Sequence, residues 1–148
     1  MLRELLVAFG IVAVCVVIHT TSMVIFAEWL IDRRHLVAQR TDSSRNALRL
    51  ISVFAFIIAL HVTGTVIWAI FYYKQGLFQD FESSLYFSLS SYTTIGYGDV
   101  VLPGGWRLLG SIEGLSGVLL CGLSTAFIFA IVNSLLQMRT RKQSNDEQ

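Results

Sequence analysis

Apolar residues are grouped along the chain into three long runs, separated by shorter polar stretches. The runs cover about residues 5–31, 48–73 and 108–138, and each is apolar on all sides of a helix. A helix needs roughly 20 apolar residues to cross the hydrocarbon core of a bilayer. The runs are too long for strands of a membrane barrel, and a helix satisfies its own backbone in lipid. The pattern predicts three transmembrane helices.

The segment between the second and third runs departs from this pattern. Residues 81–93 can form a helix of about 20 Å, which is too short to span. Asp80 is placed to cap its first turn, where Glu82 also favours the positive end of the helix dipole. Because this segment starts and ends on the same side, we expect it to enter the membrane and return. The predicted fold class is an all-α membrane protein with three transmembrane helices and a re-entrant helix and loop.

Composition supports a membrane protein. Hydrophobic residues make up 54% of the 148 residues and charged residues 14%, and the mean hydropathy is +0.63. The net charge of +1 does not indicate a nucleic-acid partner. Cys15 and Cys121 lie in apolar runs and do not make a disulfide framework. We find no pairing of nucleophile and base and no metal-spaced cluster, so we expect neither an enzyme nor a bound cofactor.

Basic residues are distributed unevenly and predict the orientation. Eight of them follow the first run or the third: Arg33, Arg34, Arg40, Arg45, Arg49, Arg139, Arg141 and Lys142. Only Arg3, Lys74 and Arg107 remain for the other side. The positive-inside rule therefore predicts a multi-pass protein of the cell membrane with its N-terminus outside and its C-terminus in the cytoplasm. A signal peptide is the alternative for the first run, but the run exceeds a typical apolar core and lacks a cleavage site.

The stretch SSYTTIGYGDV, residues 90–100, is the most unusual part of the chain. Gly96 and Gly98 flank Tyr97, and this alternation suits a backbone that adopts conformations unfavourable to residues with side chains. Non-helical backbone at membrane depth is tolerated only when it is buried in protein or lines a watery path. The alternative is a turn on an unrelated loop, which the flanking helices disfavour.

The motif TTIGYGD at residues 93–99 resembles the signature of potassium-channel selectivity filters, and the resemblance covers about residues 71–135. The chain is similar to the small prokaryotic potassium channels with two pore helices around a re-entrant loop, with one additional N-terminal transmembrane helix. The resemblance implies passive, potassium-selective conduction. One loop cannot enclose a pore, so it also implies a homotetramer in contact with membrane lipid and potassium ions.

This resemblance divides the chain into segments. They are an N-terminal transmembrane helix at 1–31, a basic cytoplasmic loop at 32–47, a pore domain at 48–138 and a short cytoplasmic tail at 139–148. Within the pore domain they are an outer helix at 48–73, a pore helix at 81–93, a filter at 94–99 and an inner helix at 108–138.

By resemblance, backbone carbonyls of the filter replace the hydration shell of the ion. The K⁺ ligands would be the carbonyls of Thr94, Ile95, Gly96 and Tyr97 together with the Thr94 hydroxyl, and Gly98 would contribute at the outer mouth. Successive carbonyls can face one axis only if the backbone alternates in handedness, which accounts for the glycines.

The residues expected to support the filter differ in part from the family pattern. Asp99 would lie behind the outer filter, most simply in a hydrogen bond, and would also concentrate cations at the mouth. Many members have two adjacent tryptophans where this chain has Tyr86 and Phe87, and some have a buried glutamate where it has Ser90. Glu113 is costly within a membrane helix and is a functional candidate by default. It either pairs with Arg107 or bonds behind the filter.

The third run contains small residues that have two interpretations. Gly110, Gly114, Gly117 and Gly122 permit close helix contact, or Gly114 or Gly117 acts as a gating hinge.

One face of the third run carries a second set of candidates. Cys121, Ser124, Thr125 and Ile128 follow helical spacing and either line a cavity below the filter or pack on a neighbouring helix.

Two histidines, His19 and His61, lie in the middle of the first and second runs. A neutral imidazole that makes an interhelical hydrogen bond is the favoured interpretation, and a pH sensor is the alternative.

Three other functions compete with a potassium channel. A less selective cation channel would be indicated by a change at Tyr97 or Gly98, but the motif is intact. A potassium uptake transporter needs four such loops and this chain has one. A non-conducting accessory subunit is compatible with the same residues.

Overall fold

A computed structural model of the chain describes residues 2–35 and 43–146. These residues form four helices and no strands: α1 (Leu2–His35), α2 (Ser43–Lys74), α3 (Phe81–Tyr92) and α4 (Arg107–Asp146). The predicted all-α fold class is confirmed for the described residues.

Three of these helices are long and apolar enough to cross a bilayer. The candidate spans are Leu2–Ile31 in α1, Ala47–Lys74 in α2 and Arg107–Ser134 in α4. Many of their large apolar side chains, such as Leu6 and Phe129, are exposed on the surface of the chain. Such surfaces suit helices that face lipid or other membrane helices. The chain is therefore a multi-pass membrane protein.

All three long helices continue beyond their apolar spans. In α4 the extension contains the straight-chain residues Gln137, Arg139, Arg141 and Lys142, which favour a helix. The predicted loop at 32–47 is shortened from both sides by the ends of α1 and α2, and residues 36–42 of it lie outside the described residues. The predicted tail at 139–148 is helical as far as Asp146, and residues 147–148 lie outside the described residues.

The helices pack around two apolar clusters. The Trp68 cluster contains Ala8, Cys15, Trp68, Tyr72, Phe87, Leu102, Leu109 and Leu120. The Val53 cluster contains Leu30, Val53, Ile57 and Ile131. α1 contributes to both clusters and contacts α2 and α4, while α3 lies against α2 and α4. The N-terminal helix is thus an integral part of the bundle.

α3 has 12 residues, which reach about 18 Å and cannot span a bilayer. Its N-terminus is capped by the Asp80 carboxylate, which accepts a hydrogen bond from the Ser83 N–H at 2.7 Å, so the predicted cap is confirmed. Its C-terminus is closed by Thr93, whose N–H donates to the Leu89 carbonyl at 3.1 Å. The chain then leaves the helix through the TTIGYGD segment, residues 93–99.

Candidate functional site

The backbone of the TTIGYGD segment has positive φ values at alternate residues. They are 60° at Thr94, 56° at Gly96 and 79° at Gly98. This left-handed region is open to glycine but unfavourable for a β-branched residue. The special conformations expected of the two glycines are confirmed, and Thr94 adds a third position that is strained locally and must be held by its surroundings.

The N–H groups of the segment are turned toward α3. Those of Thr94 and Gly96 donate to carbonyls in the last turn of that helix, at 3.0 and 3.1 Å. The Tyr97 N–H lies 3.4 Å from the Ser90 hydroxyl oxygen. In the part of the chain that the structure describes, no hydrogen bond ends on a carbonyl oxygen of residues 94–98. These oxygens are therefore free to bind something else.

Asp99, at the far end of the segment, is held by Tyr86 of α3. The Tyr86 hydroxyl donates to Asp99 Oδ2 at 2.7 Å, and the Val100 N–H donates to Oδ1 at 3.0 Å. The hydrogen bond from Tyr86, with a smaller contribution from Val100, holds the pKa of the Asp99 carboxyl below its ordinary value. Tyr86 also stacks on Tyr97, with ring centroids 6.5 Å apart and an interplanar angle of 12°. Tyr86 thus contacts the segment at two places.

Glu113 of α4 is fully buried behind α3. Its carboxyl group accepts hydrogen bonds from the Tyr72 hydroxyl at 2.7 Å and from the Ser88 hydroxyl at 2.5 Å. The Ser88 hydroxyl also lies 2.8 Å from the Thr65 carbonyl. Because burial of a polar group is costly unless it is hydrogen-bonded, these contacts explain how Glu113 is accommodated. They join α2, α3 and α4 behind the TTIGYGD segment, rather than forming the alternative pair with Arg107.

The sequence did not single out Ser88 or Tyr72 as partners of Glu113. A usable signal was present in α3, since Ser84 and Ser88 are four residues apart and lie on the same side of the helix. Both are fully buried. Small polar residues at that spacing mark the face of α3 that packs on its neighbours.

Three of the four glycines of α4 lie against α3, whereas Gly122 has nothing within 4 Å of its Cβ position. A Cβ atom on Gly117 would overlap the Tyr92 carbonyl oxygen, and one on Gly114 would lie 2.9 Å from the Ser91 carbonyl oxygen. Close helix contact, one of the two interpretations from the sequence, is therefore a property of both positions. The gating hinge at Gly114 or Gly117 remains a prediction.

The four candidate cavity residues of α4 divide into two pairs. Cys121 and Thr125 line an open groove of about 640 Å³ that also touches Thr94. Ser124 is 2% exposed and bonds to two histidines, and Ile128 packs on the Val53 cluster. The packing alternative describes the second pair, and the cavity role of the first pair remains a prediction.

The polar groups of the site that accept no hydrogen bond from the described residues are backbone carbonyl oxygens. Among the described residues, no three His, Cys, Asp or Glu side chains are close enough together to hold a metal ion. The C-terminal end of α3 carries partial negative charge toward the TTIGYGD segment, and the unused carbonyls of residues 94–98 follow it. Rings of backbone carbonyls contributed by several chains can replace the hydration shell of an ion.

Comparison with known proteins gives one finding for the centre of the chain. Residues 55–134 match a family model described as an ion channel. The match spans more than half of the chain and includes α3, the TTIGYGD segment and most of α2, but it leaves α1 outside. No curated protein and no solved structure matches the chain.

Proposed function

The chain belongs to this ion channel family, and we propose that it forms a potassium-selective pore as a homotetramer in the cell membrane. Membership of the family points to passive ion conduction rather than to an enzyme. The proposed orientation has the N-terminus outside and the C-terminus in the cytoplasm, because eight of the eleven basic residues would then lie inside.

The alternating backbone of the TTIGYGD segment is the observation that supports the proposal most strongly. Thr94, Gly96 and Gly98 are left-handed, and the N–H groups of Thr94 and Gly96 are bonded to α3. The carbonyls of residues 94–98 accept no hydrogen bond from the described residues, which supports their proposed use as ion ligands. The proposed K⁺ ligands are the carbonyls of residues 94–97 and the Thr94 hydroxyl, with Gly98 at the mouth. Potassium is the transported ion and not a resident cofactor.

The exposure of the segment within one chain supports assembly. Tyr97 is 68% exposed and Ile95 56% exposed, although Ile95 directly follows the strained backbone of Thr94, which needs support. Neighbouring copies around a closed axis would cover these side chains and complete each ring of oxygens. The same assembly would leave membrane lipid as the other partner of the apolar helix surfaces.

Reversal potentials in planar bilayers test the selectivity. The unaltered protein should pass K⁺ in strong preference to Na⁺ under bi-ionic conditions. Gly98→Ala should abolish selectivity or current, because a side chain is strained at a φ of 79°. Gly104→Ala is the matched control, since Gly104 has open space around its Cα and no positive φ, and it should conduct normally.

Two results would contradict the proposal. Equal permeability to Na⁺ and K⁺ in the unaltered protein would indicate the less selective cation channel. Absence of any current from a correctly folded tetramer would indicate the accessory subunit.

A further inference from the structure

A chain of hydrogen bonds crosses the bundle and takes one side chain from each of the four helices. His19 Nε2 of α1 lies 2.9 Å from the Ser124 hydroxyl oxygen of α4. That oxygen lies 3.2 Å from His61 Nε2 of α2, and His61 Nδ1 lies 3.0 Å from the Tyr92 hydroxyl of α3. The two imidazole rings are 5.1 Å apart. We call these four residues the His19–Tyr92 chain.

The α1 end of the His19–Tyr92 chain is buried, and its other end lies beside a groove. His19 and Ser124 are 3% and 2% exposed, whereas His61 and Tyr92 line the open groove that touches Thr94. The Trp68 cluster and the Val53 cluster take residues from the same helices on either side of His19 and Ser124 along α1 and α4. Loss of either buried member would therefore leave the other without its hydrogen-bond partner in an apolar environment.

Counting donors and acceptors shows that all three bonds can form together. A neutral imidazole has one donor and one acceptor, and each hydroxyl has one hydrogen. All three bonds form if Tyr92 donates to His61, His61 donates to Ser124 and Ser124 donates to His19. The opposite direction also forms all three, with the Tyr92 hydroxyl hydrogen instead of the His19 Nδ1–H left outside them. In both directions the role of each group as donor or acceptor is linked to that of its neighbour.

The last member of the chain lies at the start of the proposed filter. Tyr92 is the final residue of α3 and stands two residues before Thr94. Its carbonyl oxygen faces Gly117. Movement of the Tyr92 ring would therefore move the backbone from which the TTIGYGD segment departs.

We propose that His19, Ser124 and His61 are positioning residues through which α1 controls the geometry of the proposed filter and hence the open probability of the pore. α1 lies outside the region that matches the ion channel family, residues 55–134, so this role belongs to the additional helix of this chain. The inference rests on the proposed function.

Single-channel recording of the full chain in bilayers, in symmetric K⁺, tests the inference. His19→Leu removes the imidazole at one end of the chain, and Tyr92→Phe removes the hydroxyl at the other end. Each should change the open probability by about threefold, the effect of one membrane hydrogen bond. The double variant should change it no more than either single variant, because both substitutions break one continuous chain. His19→Gln, whose amide group can accept from Ser124 or donate to it, should restore the original value.

Thr20→Val is the matched control on α1, since among the described residues the Thr20 hydroxyl bonds only to carbonyls of its own helix. It should leave the open probability unchanged. The inference is overturned if His19→Leu behaves like Thr20→Val, if the effects of His19→Leu and Tyr92→Phe add, or if His19→Gln fails to restore gating. Reversal potentials recorded in the same bilayers separate the two proposals. A selective channel that is insensitive to His19 refutes only this inference, whereas a non-selective unaltered protein refutes the proposed function.

Discussion

The two sides of α3 differ in how far one chain completes them. The side that faces α2 and α4 is closed: Ser84 and Ser88 are fully buried, and Glu113 accepts two hydroxyl hydrogen bonds. The other side carries Tyr86 and the TTIGYGD segment, where side chains are exposed and the Tyr97 N–H is 3.4 Å from its acceptor. The comparison shows that a single chain closes the back of α3 and leaves its front exposed, which is the side that the proposed tetramer would cover.

Different forces therefore hold the two sides. Behind α3, hydrogen-bonded polar groups and close helix contacts act together. Removal of one hydrogen-bonding side chain leaves its buried partner without a hydrogen bond. On the side of α3 that carries the TTIGYGD segment, the conformation depends on the left-handed φ values of Thr94, Gly96 and Gly98. It also depends on side chains that are exposed, such as Tyr86 and Tyr97. Substitutions behind α3 should reduce stability, whereas substitutions in front should alter conduction and leave the fold intact.

The largest loss of stability is expected for Glu113→Leu. It removes the acceptor of the buried Tyr72 hydroxyl and one of two acceptors near Ser88. An unsatisfied buried group costs about 1–3 kcal/mol, so we expect the free energy of unfolding to fall by about 3 kcal/mol. Denaturant titration of helicity in detergent micelles measures this change.

Glu113→Gln is the control for that experiment, because its amide oxygen still accepts one hydrogen bond. It should retain most of the stability lost in the leucine variant. If Glu113→Leu unfolds at the same denaturant concentration as the unaltered protein, the support behind α3 is not held by its polar contacts.

A graded effect is expected along the glycines of α4. Gly117→Ala places a methyl group on the Tyr92 carbonyl oxygen, and Gly114→Ala places one 2.9 Å from a carbonyl. The methyl group of Gly110→Ala meets side chains instead, the Phe87 ring at 3.0 Å and the Ser91 hydroxyl at 3.6 Å. Overpacking costs about 1–3 kcal/mol, so the loss of stability should decrease from Gly117 to Gly114 to Gly110. The same micelle titration gives the order.

Gly10→Ala in α1 serves as the reference, because nothing lies within 4 Å of its Cβ position. It should lose no stability, since alanine favours a helix over glycine. If Gly117→Ala and Gly10→Ala are equally stable, α3 and α4 can move apart to accommodate the methyl group without loss of stability. A gating hinge would then be the remaining explanation for a glycine at position 117.

The smallest effect on stability and a specific effect on conduction are expected for Tyr86→Phe. The Tyr86 hydrogen bond lowers the pKa of Asp99, so it stabilises the folded protein at neutral pH, and this contribution is lost as the pH falls through the folded-state pKa. Without the hydroxyl, the pKa of Asp99 should rise toward its ordinary value. K⁺ conductance measured against pH should then decrease at a higher pH than in the unaltered protein. Identical pH profiles would exclude a role of Asp99 in concentrating cations.

Much of the fold could be predicted because apolar runs and helix caps are formed by residues that are close together in the sequence. The predicted helix at 81–93 and the observed Phe81–Tyr92 differ by the residue that closes the helix, Thr93. The long helices could not be bounded in this way. An apolar run marks only the part of a helix that faces hydrocarbon, and polar residues that favour helices extend α4 to Asp146.

The parts of the site that depend on the conformational freedom of single residues could be predicted from the sequence. The parts that depend on which faces of two helices meet could not. Gly96 and Gly98 indicated left-handed backbone directly, but nothing in the identity of Thr94 predicts its φ of 60°. The histidines were expected to bond between helices, which is confirmed. Their shared partner, Ser124, depends on how α1 and α4 turn toward each other, and neighbours in sequence do not determine that.

The hydrogen bond between His19 and Ser124 also orders the events of biosynthesis. The two residues are separated by 105 positions, and a ribosome adding about 5–20 residues per second needs roughly 5–20 s to make that length. Throughout this interval α1 resides in the bilayer with an imidazole whose hydrogen-bond partner does not yet exist. α1 is consequently made well before its hydrogen-bond partner on α4, and this part of its docking waits for α4.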